Sequence, residues 1–425
     1  MNQSHFSLPS CPPKSLFLAL GVALLPTLGV AQGFKTSLVK NGLKAPTGIA
    51  ISPMGEVYFT ELPEPGKFSR NNTVSRLDAS NNQVVIVPGE PAPTNLAFDA
   101  QGNFYWTCST AGVLMIGTGN THRSIATGLK NPIGIAVDKS ANVFFTQVPD
   151  PGMQDKGNNV AQLVGGAAKV LSMGEPEPFD IAAGSDGSLY WTCRSAGVIL
   201  RRDPMGNIAP LLRGLEKPSG IAIDAMGRLY FSEVPTPGMS GANGGRNRVW
   251  EYDPATRNFA LITFGEPEPR DVAVTPDGST VYWTCTTAGV ILRGVRSAQP
   301  VPSVRTMNMG QLGSTATFDL MAPMSAGKPY RVASSLGLGP IGFDARFVGL
   351  APDAIFFSSF FDQVPALFMN YGGMLDMNGR GMAMLAIPND MAFKGLIVQT
   401  AFFTLDNTAM SGIAEVSTSL RTVFQ

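Results

Sequence analysis

Apolar and polar residues alternate along most of this chain in runs of five or six, separated by clusters of Gly, Asp, Asn and Pro. Such runs predict short half-buried β-strands joined by tight turns. The pattern is also copied. Asp271–Arg293 reads DVAVTPDGSTVYWTCTTAGVILR: an apolar strand, a Pro-Asp-Gly turn, an aromatic strand, then a Thr/Ala/Gly loop into a third strand. Nearly the same text stands at Asp180–Arg201, and a looser copy at Asn95–Met115. A second version alternates with it, as GIAISPMGEVYFTELPEPG, GIAVDKSANVFFTQVPDPG and GIAIDAMGRLYFSEVPTPG. These begin at Gly48, Gly134 and Gly220, equal steps of 86 residues.

Equal steps made of two half-units of about 43 residues mark a repeat architecture. Four short strands in each half-unit match one propeller blade. The expected fold is all-β: a six-bladed β-propeller over residues 32–300, built as three tandem two-blade units, followed by a small β-sandwich within 301–425. The text from Lys35 to Pro46 matches Thr121–Pro132 and Asn207–Pro218, each of which ends a blade with an outer strand and a Gly-Leu-x-x-Pro exit. No blade precedes it, and the last blade decays after Gly294. Lys35–Lys40 is therefore expected to supply the outermost strand of blade six, removing an exposed sheet edge.

Near residue 300 a Pro-rich linker, Gln299–Ser303, gives way to text dense in Met and Phe. Strand-like runs follow at Arg331–Leu336, Phe343–Val348, Ala366–Leu375, Met382–Ile387, Leu396–Leu405 and Ile413–Val423, with turns such as Asp376-Met-Asn-Gly between them. Met382 and Met384 alternate as if on one buried sheet face; with no His or Cys beside them, Met reads as core filler rather than a soft-metal ligand. At the other end, residues 1–31 read as a secretory leader. Lys14 precedes an apolar run from Leu16 to Leu28, and Gly29-Val30-Ala31 offers small residues for cleavage. A secreted or periplasmic location is expected, with no later stretch of transmembrane length.

Charge narrows the partners. Lys+Arg and Asp+Glu are equal at 31 each, so nothing favours nucleic acid or an anionic membrane. A monomer is expected. Within a blade, tight turns such as Asp99-Ala-Gln-Gly, Asp203-Pro-Met-Gly and Pro276-Asp-Gly fall on one face and lack the carboxylate spacing of a calcium loop. The opposite face gathers the long loops Leu62–Asn72, Val148–Asn159 and Val234–Asn247. Long loops on a rigid scaffold are where binding usually sits. Glu90, Glu175 and Glu266, in the Gly-Glu-Pro entries, are candidates there, as are Glu61 and Glu233 at the ends of second strands and Trp250 after the longest loop. Gln147 stands where Glu61 and Glu233 do, and that loss of charge speaks for a structural role.

The P-x-G-I-A-x-D text, the aromatic pair and the A-G-V-I-L-R strand resemble NHL-repeat propellers and the senescence-marker/gluconolactonase-like six-bladed propellers, over roughly residues 34–300. That resemblance implies a divalent metal in the central channel, with ligands from positions that here read Thr47, Thr94, Ile133, Phe179, Ser219 and Arg270. None is a metal-ligating type suited to that role. Related lactonases, phosphotriesterases and the virginiamycin B lyase use histidine, whereas this chain has His5 in the leader and His122 on an expected outer strand. The C-terminal text LDMNGRGMAMLAIPND…KGLIVQTAFFTLD resembles a module on secreted bacterial proteins of myxobacterial and planctomycete type.

One residue further along stand Asn95, Asp180 and Asp271, on alternate blades. They are either backbone caps copied by duplication or, with the Gly-Glu-Pro carboxylates, an oxygen-ligand ring suited to calcium. Cys108, Cys193 and Cys285 are threefold-related but sit out on second strands, an estimated 20 Å or so apart; they are expected as free buried thiols. Trp106, Trp191 and Trp283 are expected to pack between blades. Two functions follow. One is a non-catalytic exported binding or surface protein engaging a small molecule, glycan or protein through the long-loop face. The other is a metal-dependent lactonase-like hydrolase or lyase with calcium in the channel.

Overall fold

The computed structural model describes residues 30–425 except 32, 66–68, 70, 120, 150–156, 238–245, 308–309, 340, 344–345 and 410. Nearly all of the expected leader and the tips of the three long loops lie outside the described residues. Six inner strands, Pro46–Ile51, Pro93–Phe98, Pro132–Val137, Pro178–Ala183, Pro218–Ile223 and Pro269–Val274, each begin an antiparallel sheet. Each lies beside the next, and the last lies beside the first, so the sheets stand around a ring.

Phe34–Lys40 pairs antiparallel with Val290–Arg296 as the fourth strand of the last sheet, where the copied text puts it, but it is not the outermost: Val30–Ala31 pairs outside it. The exit behind Phe34–Lys40 repeats too. Leu43 N donates to Gly289 O at 2.9 Å, as Leu129 N does to Gly112 O and Leu215 N to Gly197 O, both at 2.9 Å. Between inner and second strands every blade carries a bulge directly after the entry proline, for example between Pro46 and Ile49 and between Pro178 and Ile181. The residue before each of those prolines has positive φ: Ala45, Ala92, Asn131, Glu177, Lys217 and Glu268. A following proline disfavours the right-handed helical region. Here the left-handed turn aims that residue's carbonyl at the amide just past the second strand, as in Arg194 N to Glu177 O at 3.0 Å.

A ring of six hydroxyls stitches these bulges together. Thr60, Thr107, Thr146, Thr192, Ser232 and Thr284, all fully buried, sit at one place on the second strands. Each accepts a bulged amide of its own blade, such as Gly48 N to Thr60 at 2.8 Å and Asp180 N to Thr192 at 3.1 Å. Each also donates to an entry carbonyl of the next blade, such as Thr107 to Ile133 O at 2.6 Å and Thr192 to Ser219 O at 2.7 Å. Thr284 closes the circle onto Thr47 O at 2.7 Å. Farther out, Trp106, Trp191 and Trp283 are fully buried; Trp106 packs among Val74 and Val87 of the preceding blade, and Trp283 among Val249 and Ile262.

Beyond Arg296 the described chain adds a four-stranded sheet, a two-stranded one and five strands that extend the blade-five sheet, with a core of Phe318, Leu320, Val332, Leu385 and Phe402. Ser419–Val423 is one of those five and pairs with Asn258–Phe264, the outer strand of blade five, at Asn258↔Leu420 and Phe259↔Ser419. The sandwich thus continues a propeller sheet. Several details differ from the sequence expectation, and the runs expected as single strands at Phe343–Val348 and Ile413–Val423 are each divided between two strands. Ala383 and Leu385 face the core while Met382 is 48% exposed, so the methionine side of that strand is its outer side. Thr315–Met321 is an unanticipated central strand, paired with Arg380–Ala386. Ala354–Phe360 is a helix, started by the Asp353 carboxylate accepting from Phe356 N at 2.8 Å.

Candidate functional site

In an antiparallel blade, direction alternates from strand to strand. The inner strands therefore begin on the face that carries the second-to-third loops, and their first residues line the long-loop end of the axial channel. A small cavity of about 10 Å³, opening to solvent, lies there, walled by Thr47, Thr94, Ile133, Phe179 and Arg270, with Asn95, Asp180 and Asp271 one residue deeper. Glycine at the matching positions of the other three blades lets the inner strands close in. A Cβ on Gly134 would lie 2.7 Å from Asp180 Cα, and one on Gly220 would lie 2.5 Å from Asp271 Cα.

Asn95, Asp180 and Asp271 do converge, and their oxygens are engaged by the protein itself. Asp271 accepts Val272 N on Oδ1 and Ile49 N, from the next blade, on Oδ2, both at 2.8 Å. Asp180 accepts Ile181 N on Oδ1 and Ile221 N, again from the next blade, on Oδ2, both at 2.8 Å. Asn95 accepts Leu96 N at 2.6 Å and donates its amide to Asp180 Oδ1 at 2.7 Å. The two carboxyls also lie close enough to influence each other directly. Burial pushes both well above the usual carboxylate range, and the neighbouring charge pushes Asp271 further. The pair therefore holds a proton more tightly than ordinary carboxylates do.

This donor set does not fit a divalent metal. The entry positions supply two threonines, an isoleucine, a phenylalanine, a serine and a cation, and the acids behind them are bonded to backbone amides. Among the described residues no three His, Cys, Asp or Glu side chains gather as a metal cluster. Of the two sequence readings for Asn95, Asp180 and Asp271, the cap is the one their bonds match.

The remaining candidates turn inward. Glu90 and Glu175 are buried, 6% exposed each, and Glu266 is half-buried. Glu90 Oε2 accepts the Trp106 indole N–H at 2.9 Å and the Cys108 thiol at 3.2 Å. Glu175 repeats this with Trp191 at 3.3 Å and Cys193 at 3.5 Å. Cys285 donates to Glu266 at 3.7 Å. All three cysteines are free and buried, and burial beside a carboxylate raises each thiol far above its ordinary range. These carboxylates sit under the loop face rather than on it, because Gly89, Gly174 and Gly265 turn the chain back at positive φ.

Glu61 accepts Lys44 N at 2.7 Å and Thr73 at 3.1 Å, and Gln147 accepts Lys130 N at 2.8 Å. Glu233 bonds Arg248 at 2.6 Å and the Trp250 indole at 2.7 Å. Trp250 is fully buried, not at the loop face, because the C-terminal sandwich covers it. A Cβ on Gly349 would come 2.9 Å from its ring.

Two residues at the Phe179 wall, Arg270 lining the cavity and Arg194 beside that ring, escaped the sequence reading as a pair. Arg194 and Arg270 each place the guanidinium carbon 5.0 Å from the centroid of the Phe179 ring. Their signal was faint: Arg194 follows Cys193 on blade four, whereas Cys108 and Cys285 are followed by Ser109 and Thr286.

No family model matches the chain, and no curated protein matches it. Solved structures do. A gluconolactonase from Xanthomonas campestris aligns with a TM-score of 0.50 at 14% identity, over 63% of this chain and 91% of its own. A calcium-binding regucalcin from Agrobacterium tumefaciens aligns at 0.49 and 14%, over 63% and 97%. The virginiamycin B lyase of Staphylococcus aureus aligns at 0.43 and 18%, over 62% and 98%. At such identities the likeness is one of fold: an all-β propeller.

Proposed function

We propose that this protein is an exported, secreted or periplasmic, binding propeller that takes a small molecule, or the end of a glycan or protein chain, at the long-loop end of its axial channel. The observation that carries this is the bonding of Asp180 and Asp271. Both oxygens of each are held by backbone amides, so the groups nearest the axis brace the ring instead of standing free for a metal or a nucleophile. The long-loop face, the Phe179 wall and the cavity mouth supply the contact surface.

A second reading, a lactonase- or lyase-like enzyme, is favoured by one observation: two neighbouring acids that hold a proton tightly beside a cavity, on a fold like that of gluconolactonase. In that reading the acid pair would give a proton to the leaving oxygen and take one from the attacking water, without the metal that the resemblance implies.

A melting-temperature screen of metabolites and glycans, run beside a lactone-hydrolysis assay, separates the two. Binding predicts hits that disappear in Ile133→Arg, which blocks the mouth, and no turnover. Turnover of any lactone that is lost in Asp271→Asn overturns it in favour of the enzyme.

A further inference from the structure

The cavity mouth is cationic in an unusual way. Arg270 stands on the axis-lining position of blade six and is half-buried, and Arg194, also half-buried, comes from the end of the second strand of blade four. Both guanidiniums reach the same Phe179 ring at 5.0 Å. Among the described residues neither has a hydrogen-bond or ion-pair partner, although Arg296, Arg248 and Arg228 elsewhere in the ring each hold a carboxylate. The nearby rim acids are otherwise occupied: Glu177 accepts Ser195 at 2.5 Å and Glu268 accepts Thr287 at 2.5 Å. Asp271, next to Arg270 in the chain, is turned to backbone amides. Burial lowers the basicity of Arg270 and the Arg194 charge lowers it further, against a smaller opposing pull from Glu268 and Asp271.

We infer that Arg194 and Arg270 form an oxyanion clamp: the channel mouth binds the carboxylate or phosphate head of a small molecule, with Phe179 as its apolar wall. An anion within reach of both guanidiniums offsets their repulsion and supplies the acceptors that both forks lack. The enclosed part of the cavity, about 10 Å³, holds little more than one water, so the anionic head would sit at the open mouth beside the guanidiniums and not deep in the channel. This inference rests on the binding site proposed above and adds the chemical class of its occupant.

The test is a titration of the purified protein with sodium phosphate, acetate and lactate at constant ionic strength, read by melting temperature, with choline chloride as the control. The expected result is a saturable rise with at least one oxyanion and none with choline chloride. Arg194→Gln, at a half-exposed position where folding is safe, raises the apparent Kd about tenfold or more; Arg194→Lys recovers part of it. A response to acetate and lactate assigns a carboxylate head, and one to phosphate assigns a phosphoryl head. No saturable response to any oxyanion, or the same response in Arg194→Gln, overturns the clamp. An uncharged hit from the metabolite screen that still binds Arg194→Gln and is lost in Ile133→Arg would keep the binding site while removing the oxyanion class.

Discussion

At one register position, blades one, three and five solve the same packing problem with different chemistry. Glu61 faces Thr73, Gln147 faces Asn159, and Glu233 faces Arg248. In each case the acceptor oxygen caps a backbone amide of the blade entry, so charge is optional there. In blade five the charge is matched by Arg248, 2% exposed, against Glu233, 1% exposed. Removing one partner of a buried pair leaves a bare charge, at about 3–5 kcal/mol, whereas replacing both can be nearly neutral. Arg248→Asn is expected to cost that much in denaturant melts, and Arg248→Asn with Glu233→Gln, the blade-three pair, to recover most of it.

The axis shows the same economy of charge. Asn95 occupies the place of Asp180 and Asp271, and a third carboxyl there would have to hold a proton or repel the other two. Asn95→Asp is expected to destabilise by about 2 kcal/mol or more at neutral pH. Because burial raises the folded-state pKa of such an acid, its stability is complete below the unfolded value and falls as pH rises through the folded one. The penalty should therefore shrink at about pH 5, relative to the parent protein at the same pH. The hairpin aspartates act with the opposite sign. Hydrogen bonds from Thr275 and Ser279 lower Asp277 from 3.8 to about 2, so its contribution is present above pH 3.8 and lost as pH falls through about 2. A penalty for Asn95→Asp that is independent of pH would contradict this account of the axis.

At the scale of the element, the blade was legible because its residues repeat with their reasons. The entry proline, the bulge after it and the aromatic second strand recur in the text, and so did the missing outer strand that Phe34–Lys40 supplies. The hydroxyl ring was equally present, as the Thr or Ser before Glu, Gln or Cys in every second strand, but its meaning depends on a carbonyl one blade away. For the same reason the Arg194–Phe179–Arg270 group could not be read in advance: its members meet only when three separate segments close around the axis. The inward turn of Glu90, Glu175 and Glu266 was hidden by backbone, since positive φ at the preceding glycines decides it. The hydroxyl ring carries its own prediction. Thr192→Val keeps the shape but leaves the Asp180 amide without its acceptor, which should cost about 1–3 kcal/mol in thermal or denaturant melts. Thr192→Ser, the natural choice at Ser232, should cost clearly less.

For the molecule as a whole, ring and sandwich are joined by strand pairing, not by a linker alone. Leu420 and Ser419 continue the outer edge of blade five, and the sandwich seals Trp250. A chain ending at residue 300 would expose that edge and the apolar Trp250 and Phe259 behind it. It should bind a hydrophobic dye and associate at concentrations where the full chain does not, as light scattering would register. The composition break near residue 300 was visible in the sequence; the docking was not, because nothing in Asn258–Phe264 distinguishes a covered outer strand from an open one.

The central claim is that the axial acids brace the propeller and do not hold a metal. Elemental analysis of the purified protein, paired with melts in calcium and in chelator, tests it most directly. The account predicts no stoichiometric divalent metal and the same melting temperature in both. Bound calcium, with a melting temperature that rises on its addition and no longer does so in Asp180→Ala and Asp271→Ala, would contradict it.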